Sequence, residues 1–426
     1  MEVDITVFIF RNYVPENGTN VKALAQPAGT AGSNRTALRR GCDMRMTRKD
    51  FLKSMLAATA LPLVGSAAAQ QAGPILIGAT VPITGPLSLT GKQYFNSLTM
   101  VEEDINKAGG INGRNIKIVF EDTQASNSTA VNAFVKLAQE TKPAFFFLSS
   151  YSTQNLAIAP ELSKVQVPAM YAGGADAVAE GGNEWMFRIR PADSVSAAGM
   201  VQCALEVLKA KKPGILYIQN DFGQGGAQTA AKRFEAAGIP VVGMEAYGQN
   251  DKDFSAQLLS LRGKDADVIL IFDYPQDGAL VLRQAKLLGF KMPLVTSSAA
   301  LVPAALQLLS PEDLEGVWGV VDTFMDASAG GRMQDYVERF KAKFGTDPDP
   351  YGLAYYDGAL LMAEGMRKVG TDPKALRDWL AAVRDWRGIG HVYSYDAKGN
   401  GVRDLSVVKA KSGTKTLEFI QTVSLH

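Results

Sequence analysis

A short apolar run that stops abruptly in hydroxyl residues is the most distinct hydrophobic pattern of the chain. Residues 145–148 are all apolar, residues 149–153 each carry a hydroxyl group, and residues 154–163 can continue as a helix. This order predicts a buried strand, a polar loop and a helix N-terminus. Open α/β sheets place ligands at the C-terminal ends of their strands, and free N–H groups at a helix start attract anions. The loop is therefore a candidate site for the carboxylate of a small molecule, although an ordinary helix cap would show the same pattern.

Apolar strands and amphipathic helices alternate around this stretch. Residues 75–79 predict a strand, and residues 116–120 predict a second one in which apolar and polar positions alternate. Between them, apolar residues recur at spacings of three and four on one face of a predicted helix: Tyr94, Leu98, Val101, Ile105 and Ala108. This rhythm is typical of a parallel sheet covered by helices.

A second series of strands and helices begins at residue 214, and residues 317–322 predict a return crossing. A closing strand pair begins at residues 392–395. The predicted fold class is therefore α/β, with two doubly wound parallel-sheet lobes joined by three crossing strands. The expected lobes are residues 74–190 plus 322–391 for lobe 1, and residues 191–321 plus 392–422 for lobe 2. Lobes arranged in this way suit hinge closure around a ligand.

Charge and composition exclude several classes of function. The 44 Lys and Arg residues nearly balance the 43 Asp and Glu residues, so bulk charge does not attract nucleic acid. The histidines are His391 and His426, and the cysteines are Cys42 and Cys203, which leaves little for a metal centre or histidine-based catalysis. Residues 223–226 do not form a dinucleotide fingerprint. We therefore expect no catalytic residues, no cofactor and no metal, and interpret Cys203 as a buried apolar residue.

The N-terminal part has the pattern of an export signal. Residues 44–69 combine a basic start, an apolar core too short to span a bilayer, and small residues before a cleavage site. We interpret them as a signal peptide, and residues 1–43 as a spurious or disordered extension before the true start. Residues 47–53 resemble a twin-arginine signal with lysine as the second basic residue, so both export routes stay open. The mature protein is expected in the periplasm.

A series of short motifs gives the chain a family resemblance. In order along the sequence they are TGP at 84–86, DINKAGGING at 104–113, STQ at 152–154, DFG at 221–223, KDFS at 252–255 and LRQA at 282–285. Each motif is common by itself, but their order and spacing resemble those of periplasmic leucine/isoleucine/valine-type binding proteins. The resemblance covers essentially the whole mature chain.

The resemblance implies a type I periplasmic binding protein that binds a branched-chain or other amino acid and feeds the membrane permease of an ABC importer, as a monomer. In that family a serine loop holds the ligand's carboxylate. This loop corresponds to Ser150, with Tyr151, Ser152 and Thr153 beside it. The remaining contacts of the family correspond to Thr90, Gly173, Ala175, Phe222, Tyr274 and Ser298.

Two positions depart from the family pattern. Ala175 stands where the amino-acid binders have a threonine, and Ser298 stands where they have an acidic partner for the ligand's ammonium. A buried ammonium without an anionic partner is strongly unfavourable. Asp273 or Asp176 could replace the missing carboxylate. The alternative is a ligand without an amine, such as an aromatic or short aliphatic acid.

Two other classes of function use the same residues. A sensory module that reports the ligand to a membrane receptor or kinase would have the same cleft, and the sequence does not separate it from a transport protein. An exported serine hydrolase would need a general base, and the sequence offers none in a suitable pattern.

Overall fold

The computed structural model describes residues 73–326, 328 and 330–424. The predicted signal peptide, the upstream extension, Cys42 and His426 lie outside these residues. Within the described part of the chain, no helix is both long and apolar enough to cross a membrane.

The first sheet has six strands, all parallel, in the order β13-β5-β4-β3-β1-β2. Its strands are β1 Ile75–Val81, β2 Ile116–Asp122, β3 Phe145–Phe147, β4 Ala169–Tyr171, β5 Met186–Pro191 and β13 Asn400–Val402. The three phenylalanines of β3 are fully buried. Phe145 and Phe147 pack into one side of the sheet and Phe146 into the other, against Phe134 with 4.7 Å between ring centroids. A run that is apolar on both faces thus forms a strand covered on both faces, as the sequence predicted.

The second sheet has seven strands in the order β15-β14-β10-β9-β8-β6-β7. Its strands are β6 Pro213–Ile218, β7 Gly243–Tyr247, β8 Val268–Phe272, β9 Leu294–Ser297, β10 Val317–Val321, β14 Asp404–Ala410 and β15 Leu417–Ser424. The pairs β10–β14 and β14–β15 are antiparallel, and the others are parallel. Two such sheets confirm the predicted α/β class with two lobes.

Helices cover both sheets. They are α1 Ser88–Lys107, α2 Asn127–Lys136, α3 Ser152–Val165, α4 Asp176–Glu180, α5 Asp193–Gln202, α6 Asp221–Ala236, α7 Ser255–Gly263, α8 Pro275–Leu287, α9 Pro303–Leu306, α10 Gly331–Phe344, α11 Pro350–Val369 and α12 Pro373–Ala381. The apolar stripe predicted for α1 is buried at Tyr94, Leu98 and Val101. Gly110 ends this region with φ +72°, and a Cβ there would lie 2.1 Å from the Arg114 carbonyl oxygen. Only glycine fits such a turn.

The chain crosses between the sheets three times, after β5, after β10 and after β13. The third crossing differs from the sequence prediction, which assigned residues 392–422 to lobe 2. Asn400–Val402 pairs with β5 of the first sheet, so the chain leaves that sheet only after residue 402. The reason is burial: Tyr393 donates to the Ile189 carbonyl at 3.2 Å, and Tyr395 packs edge-on to Phe187 at 5.2 Å. A short strand pair, β11 Trp386–Arg387 with β12 Val392–Tyr393, precedes this segment.

Candidate functional site

The hydroxyl-rich loop after β3 leads directly into α3. Tyr151 is the residue before the helix, with an extended backbone at φ −94° and ψ 115°, and its side chain makes no capping hydrogen bond. The first N–H groups of a helix have no partner within the helix, and together with the helix dipole they favour an anion. The start of α3 is therefore suited to a negatively charged group, and its use as a carboxylate site stays a prediction.

Internal hydrogen bonds hold the loop in shape. The Ser149 hydroxyl donates to Gln154 Oε1 at 2.6 Å, and Asn155 Nδ2 donates to the Ser149 carbonyl at 3.0 Å. The hydroxyls of Ser150 and Tyr94 are hydrogen-bonded to each other. Ser149 thus supports the loop from inside, while Ser150 faces the cleft between the lobes.

The loop forms one wall of a cavity between the lobes. The enclosed space measures about 30 Å³, roughly the room that two water molecules need. Among the predicted ligand contacts, those that line it are Thr90, Ser150, Tyr151, Ser152, Phe222 and Tyr274. Strand ends from both sheets therefore converge on the same space.

Three aromatic rings face each other across this cleft. Phe222 and Tyr274 of lobe 2 are stacked, with ring centroids 5.4 Å apart and planes 14° from parallel. Tyr151 of lobe 1 meets Tyr274 edge-on at 5.3 Å. Burial raises the pKa of both tyrosines, so both are neutral phenols. Phe222 and Tyr274 form an aromatic wall opposite the serine loop.

Four predicted contacts do not line the cavity. Thr153 faces an outer groove next to the loop. The Ala175 N–H donates to Ser152 Oγ at 2.9 Å. This hydrogen bond joins the serine loop to the loop at residues 172–175, which consists of alanines and glycines and is called the small-residue loop. A Cβ on Gly173 would lie 2.1 Å from Asn155 Oδ1, so this glycine permits close packing of the two loops. Gly174, its neighbour, lines the cavity instead.

Ser298, the fourth of these, belongs to the junction between the lobes. Its hydroxyl donates to Asp322 Oδ1 at 3.0 Å and accepts from the Asp322 N–H at 2.9 Å. Arg190 binds the same carboxylate with two hydrogen bonds, Nε to Oδ2 at 2.7 Å and Nη2 to Oδ1 at 3.1 Å. Both partners are buried, and they link the first two crossings.

The sequence analysis missed Arg190, which also lines the cavity. Its neighbour Arg188 is fully buried and donates to the carbonyls of Gly173, Gly174 and Ala175, which shapes the small-residue loop. A signal was present in the sequence: two arginines alternate in a strand that is otherwise apolar. Charged side chains on a buried strand require partners.

Several buried carboxyl groups surround the cleft. Asp273 lines the cavity, and burial raises its pKa well above the usual range. Asp193 lies 3.9 Å from Arg190 Nη1, neither of its oxygens accepts a hydrogen bond from the described residues, and burial raises its pKa to about 7. Asp176, the other candidate partner for an ammonium, accepts from the Ser194 N–H at 2.9 Å and hydroxyl at 2.6 Å. Asp176 is therefore already used to cap α5.

Comparison with known families places the chain among binding proteins. The sequence profile of a family described as "Periplasmic binding protein" matches residues 74–415. Leu/Ile/Val-binding protein homolog 7 of Brucella abortus is 27% identical over 376 residues, covering 83% of this chain and 92% of that protein. An amino acid binding protein of Pseudomonas aeruginosa is 26% identical over 377 residues, covering 83% and 98%.

Two solved structures share the fold. One is the substrate-binding protein of a branched-chain amino acid transporter from Streptococcus pneumoniae in complex with isoleucine, with TM-score 0.74, 22% identity and coverage of 82% of this chain and 99% of that one. The other is a solute-binding protein of an ABC transporter from R. palustris in complex with benzoate, with TM-score 0.75, 19% identity and coverage of 83% and 97%.

Proposed function

This chain belongs to the periplasmic binding protein family, and we propose that it is an extracytoplasmic solute-binding protein of an ABC importer that binds a small carboxylate-bearing ligand. One observation carries the proposal: the uncapped N-terminus of α3, with Ser150 beside it, faces the aromatic wall of Phe222 and Tyr274 across one cavity. The start of α3 would hold the ligand's carboxylate, and the aromatic wall would cover its apolar part.

The ligand class is an amino acid, branched-chain or other, or an aromatic or aliphatic acid without an amine. The leucine/isoleucine/valine-type relatives and the isoleucine complex favour the first class, and the benzoate complex favours the second. Both classes share the carboxylate that the serine loop is suited to hold.

Binding requires the lobes to move apart and close again, since the enclosed space is too small for either class of ligand. Closure around the ligand would present one surface made of both lobes to the membrane permease. We propose that the protein acts in this way as a monomer in the periplasm, without chemical change of the ligand.

A ligand panel tests the proposal. The protein is unfolded in guanidinium and refolded to remove any ligand that co-purifies, and its thermal unfolding is then followed with leucine, isoleucine, valine, phenylalanine, benzoate and 4-methylpentanoate. A ligand at 100 times its Kd stabilises the folded state by about 2.7 kcal/mol. At least one acid should raise the Tm in a concentration-dependent manner. If none of these acids does so, and uncharged amides of the same size do, the carboxylate site is refuted.

Replacing Ser150 with alanine should weaken binding of the acid found in that panel by about 1–3 kcal/mol, because a buried charged partner loses a hydrogen bond. Isothermal titration calorimetry measures the change. Ser163→Ala is the matched control, since Ser163 lies exposed on the same helix and its hydroxyl donates to the Ala159 carbonyl. Equal affinity of the Ser150 variant and the control would show that the carboxylate binds elsewhere.

A further inference from the structure

A large groove lies between the lobes, beside the second crossing and apart from the cavity at the serine loop. Its volume is about 540 Å³, within the range of cavities that bind small molecules. None of the described residues that line this groove also lines the cavity. The two spaces are close, because Ser298 and Pro350 border the groove while their neighbours Ala299 and Tyr351 border the cavity. We call this separate space the second-crossing groove.

Apolar side chains from both lobes and from the second crossing form the walls of the second-crossing groove. Leu306 of α9 and Leu417 of β15 come from lobe 2, Pro348 comes from lobe 1, and Phe324 and Met325 lie just after β10. Apart from Pro348, these side chains are only partly buried. They therefore leave apolar surface that an apolar molecule of the right size would cover.

The buried polar side chains beside these walls already have partners within the protein. The Ser298 hydroxyl is hydrogen-bonded to Asp322, and the Thr323 hydroxyl donates to the Gly390 carbonyl at 3.2 Å. A polar group of an occupant would lose its water at this depth without gaining a hydrogen bond, which is unfavourable. The inner part of the groove is therefore suited to an aliphatic chain.

The charges at the rim of the second-crossing groove favour an anion. Lys341 of α10 and Lys415 of the turn between β14 and β15 come from opposite lobes, and Asp347 is the one carboxylate among the described lining residues. Lys341 pairs with Asp347 at 2.9 Å. Lys415 is exposed and forms no ion pair or hydrogen bond with the described part of the chain. The rim thus carries one positive charge in excess.

A neighbouring groove of about 530 Å³ shares Phe324 with the first but has the opposite charge balance. Asp322, Asp326 and Asp404 line it together with Arg387 and with His391, whose pKa is lowered to about 4 by burial. An anion there would face more carboxylates than cations. The favourable combination of apolar walls and a cationic rim belongs to the second-crossing groove.

We propose that the second-crossing groove is a second binding site, and that it takes an aliphatic monocarboxylate. The chain of this acid lies along the apolar walls, and its carboxylate pairs with Lys415 at the rim. The site goes beyond the proposed function, because it uses neither the serine loop nor the aromatic wall. Its occupant contacts both lobes and the second crossing at the same time.

Octanoate is the probe, and calorimetry with the refolded protein measures its binding. Leu306→Glu should weaken octanoate binding at least tenfold, because it replaces an apolar wall by a charge that repels the acid. Leu308→Glu is the matched control, since Leu308 is 40% exposed and does not line the groove, and it should change the affinity less than twofold. Ser150→Ala should also leave octanoate binding within twofold. A loss with Ser150→Ala and none with Leu306→Glu would place octanoate at the serine loop and overturn the proposal.

A second comparison tests the charge. Octanoate should bind at least threefold more tightly than 1-octanol, and Lys415→Gln should remove this preference. Lys411→Gln, at an exposed lysine of the same turn that does not line the groove, should retain it. Lys415 lies in an exposed turn, so this variant tests the site even if Leu306→Glu does not fold. Absence of octanoate binding, or equal binding of 1-octanol, would overturn the proposal, and neither result bears on the acid that binds at the serine loop.

Discussion

Replacing Arg190 with methionine should lower the free energy of unfolding by about 3–5 kcal/mol, because it leaves the Asp322 carboxylate buried without its cation. Arg190 and Asp322 are only 5% and 3% exposed, and two hydrogen bonds join them. Urea denaturation followed by circular dichroism at pH 7 measures the change. The loss of stability is large because Arg190 is the main partner of the Asp322 carboxylate, which is buried away from water.

A second arginine provides the control. Arg403 lies near the third crossing, is half exposed, and pairs with Asp396 at 3.4 Å. Arg403→Met should change the stability by less than about 1 kcal/mol, as exposed pairs usually do. The double variant Arg190→Met, Asp322→Leu should recover part of the loss, since it removes the uncompensated charge. A loss below about 1 kcal/mol for Arg190→Met would show that the junction does not depend on this pair.

The protein should be more stable at pH 5 than at pH 8, and Asp193 should supply about 2–3 kcal/mol of the difference. Burial raises the pKa of Asp193 to about 7, whereas an unfolded aspartate has a pKa of about 3.9. Between these values the folded state keeps a proton that the unfolded state has released. This contribution is fully present below about pH 4 and is lost as the pH rises through about 7.

Other buried groups, among them Asp349 and His391, modify this pH dependence. Burial also raises the pKa of Asp349 to about 7, which adds to the trend. Burial lowers the pKa of His391 to about 4, so the unfolded state binds the extra proton and this group's contribution grows as the pH rises from about 4 to 6.5. The contribution of the carboxyl groups outweighs that of His391, because their pKa shifts are larger and there are more of them.

Urea unfolding at pH 5 and pH 8 measures the effect on the wild type and on Asp193→Asn. The variant should show a smaller difference between the two pH values. Asp265→Asn, at an exposed aspartate that pairs with the exposed Lys212 at 3.6 Å, should leave the difference unchanged. An identical pH dependence for Asp193→Asn and the wild type would mean that Asp193 is ionised in the folded state at pH 5.

The fold could be predicted because its signals are local. The apolar run at residues 145–148 became β3, the hydroxyl residues became the loop, and the helix began at Ser152, two residues before the position expected. Strands and helices each show a period within a few residues, so their alternation indicates a parallel sheet without knowledge of distant contacts. The family resemblance predicted Phe222 and Tyr274 as ligand contacts, and the structure stacks their rings beside the cavity. Their contact with a ligand stays a prediction.

The junction between the lobes could not be predicted, because its contacts join residues far apart in sequence. Arg190 and Asp322 are separated by 132 positions. The arginines within an apolar strand indicate that Arg190 needs a partner, but not which residue that partner is. Ser298 was predicted as a ligand contact, and the sequence did not show that its hydroxyl bonds to Asp322. The assignment of residues 392–402 to lobe 2 was wrong for the same reason, since only the burial of Tyr393 and Tyr395 against β5 keeps this segment with the first sheet.

The discontinuous sheets also determine when the chain can fold during synthesis. The first sheet is completed by Asn400–Val402, and the second by Asp404–Ala410 and Leu417–Ser424. A growing chain on the ribosome therefore lacks strands of both sheets until its last segment emerges, although domains otherwise tend to fold from the N-terminus onward. Contacts between such distant segments also form slowly. The newly made protein consequently completes both sheets only after residues 400–424 have been synthesised.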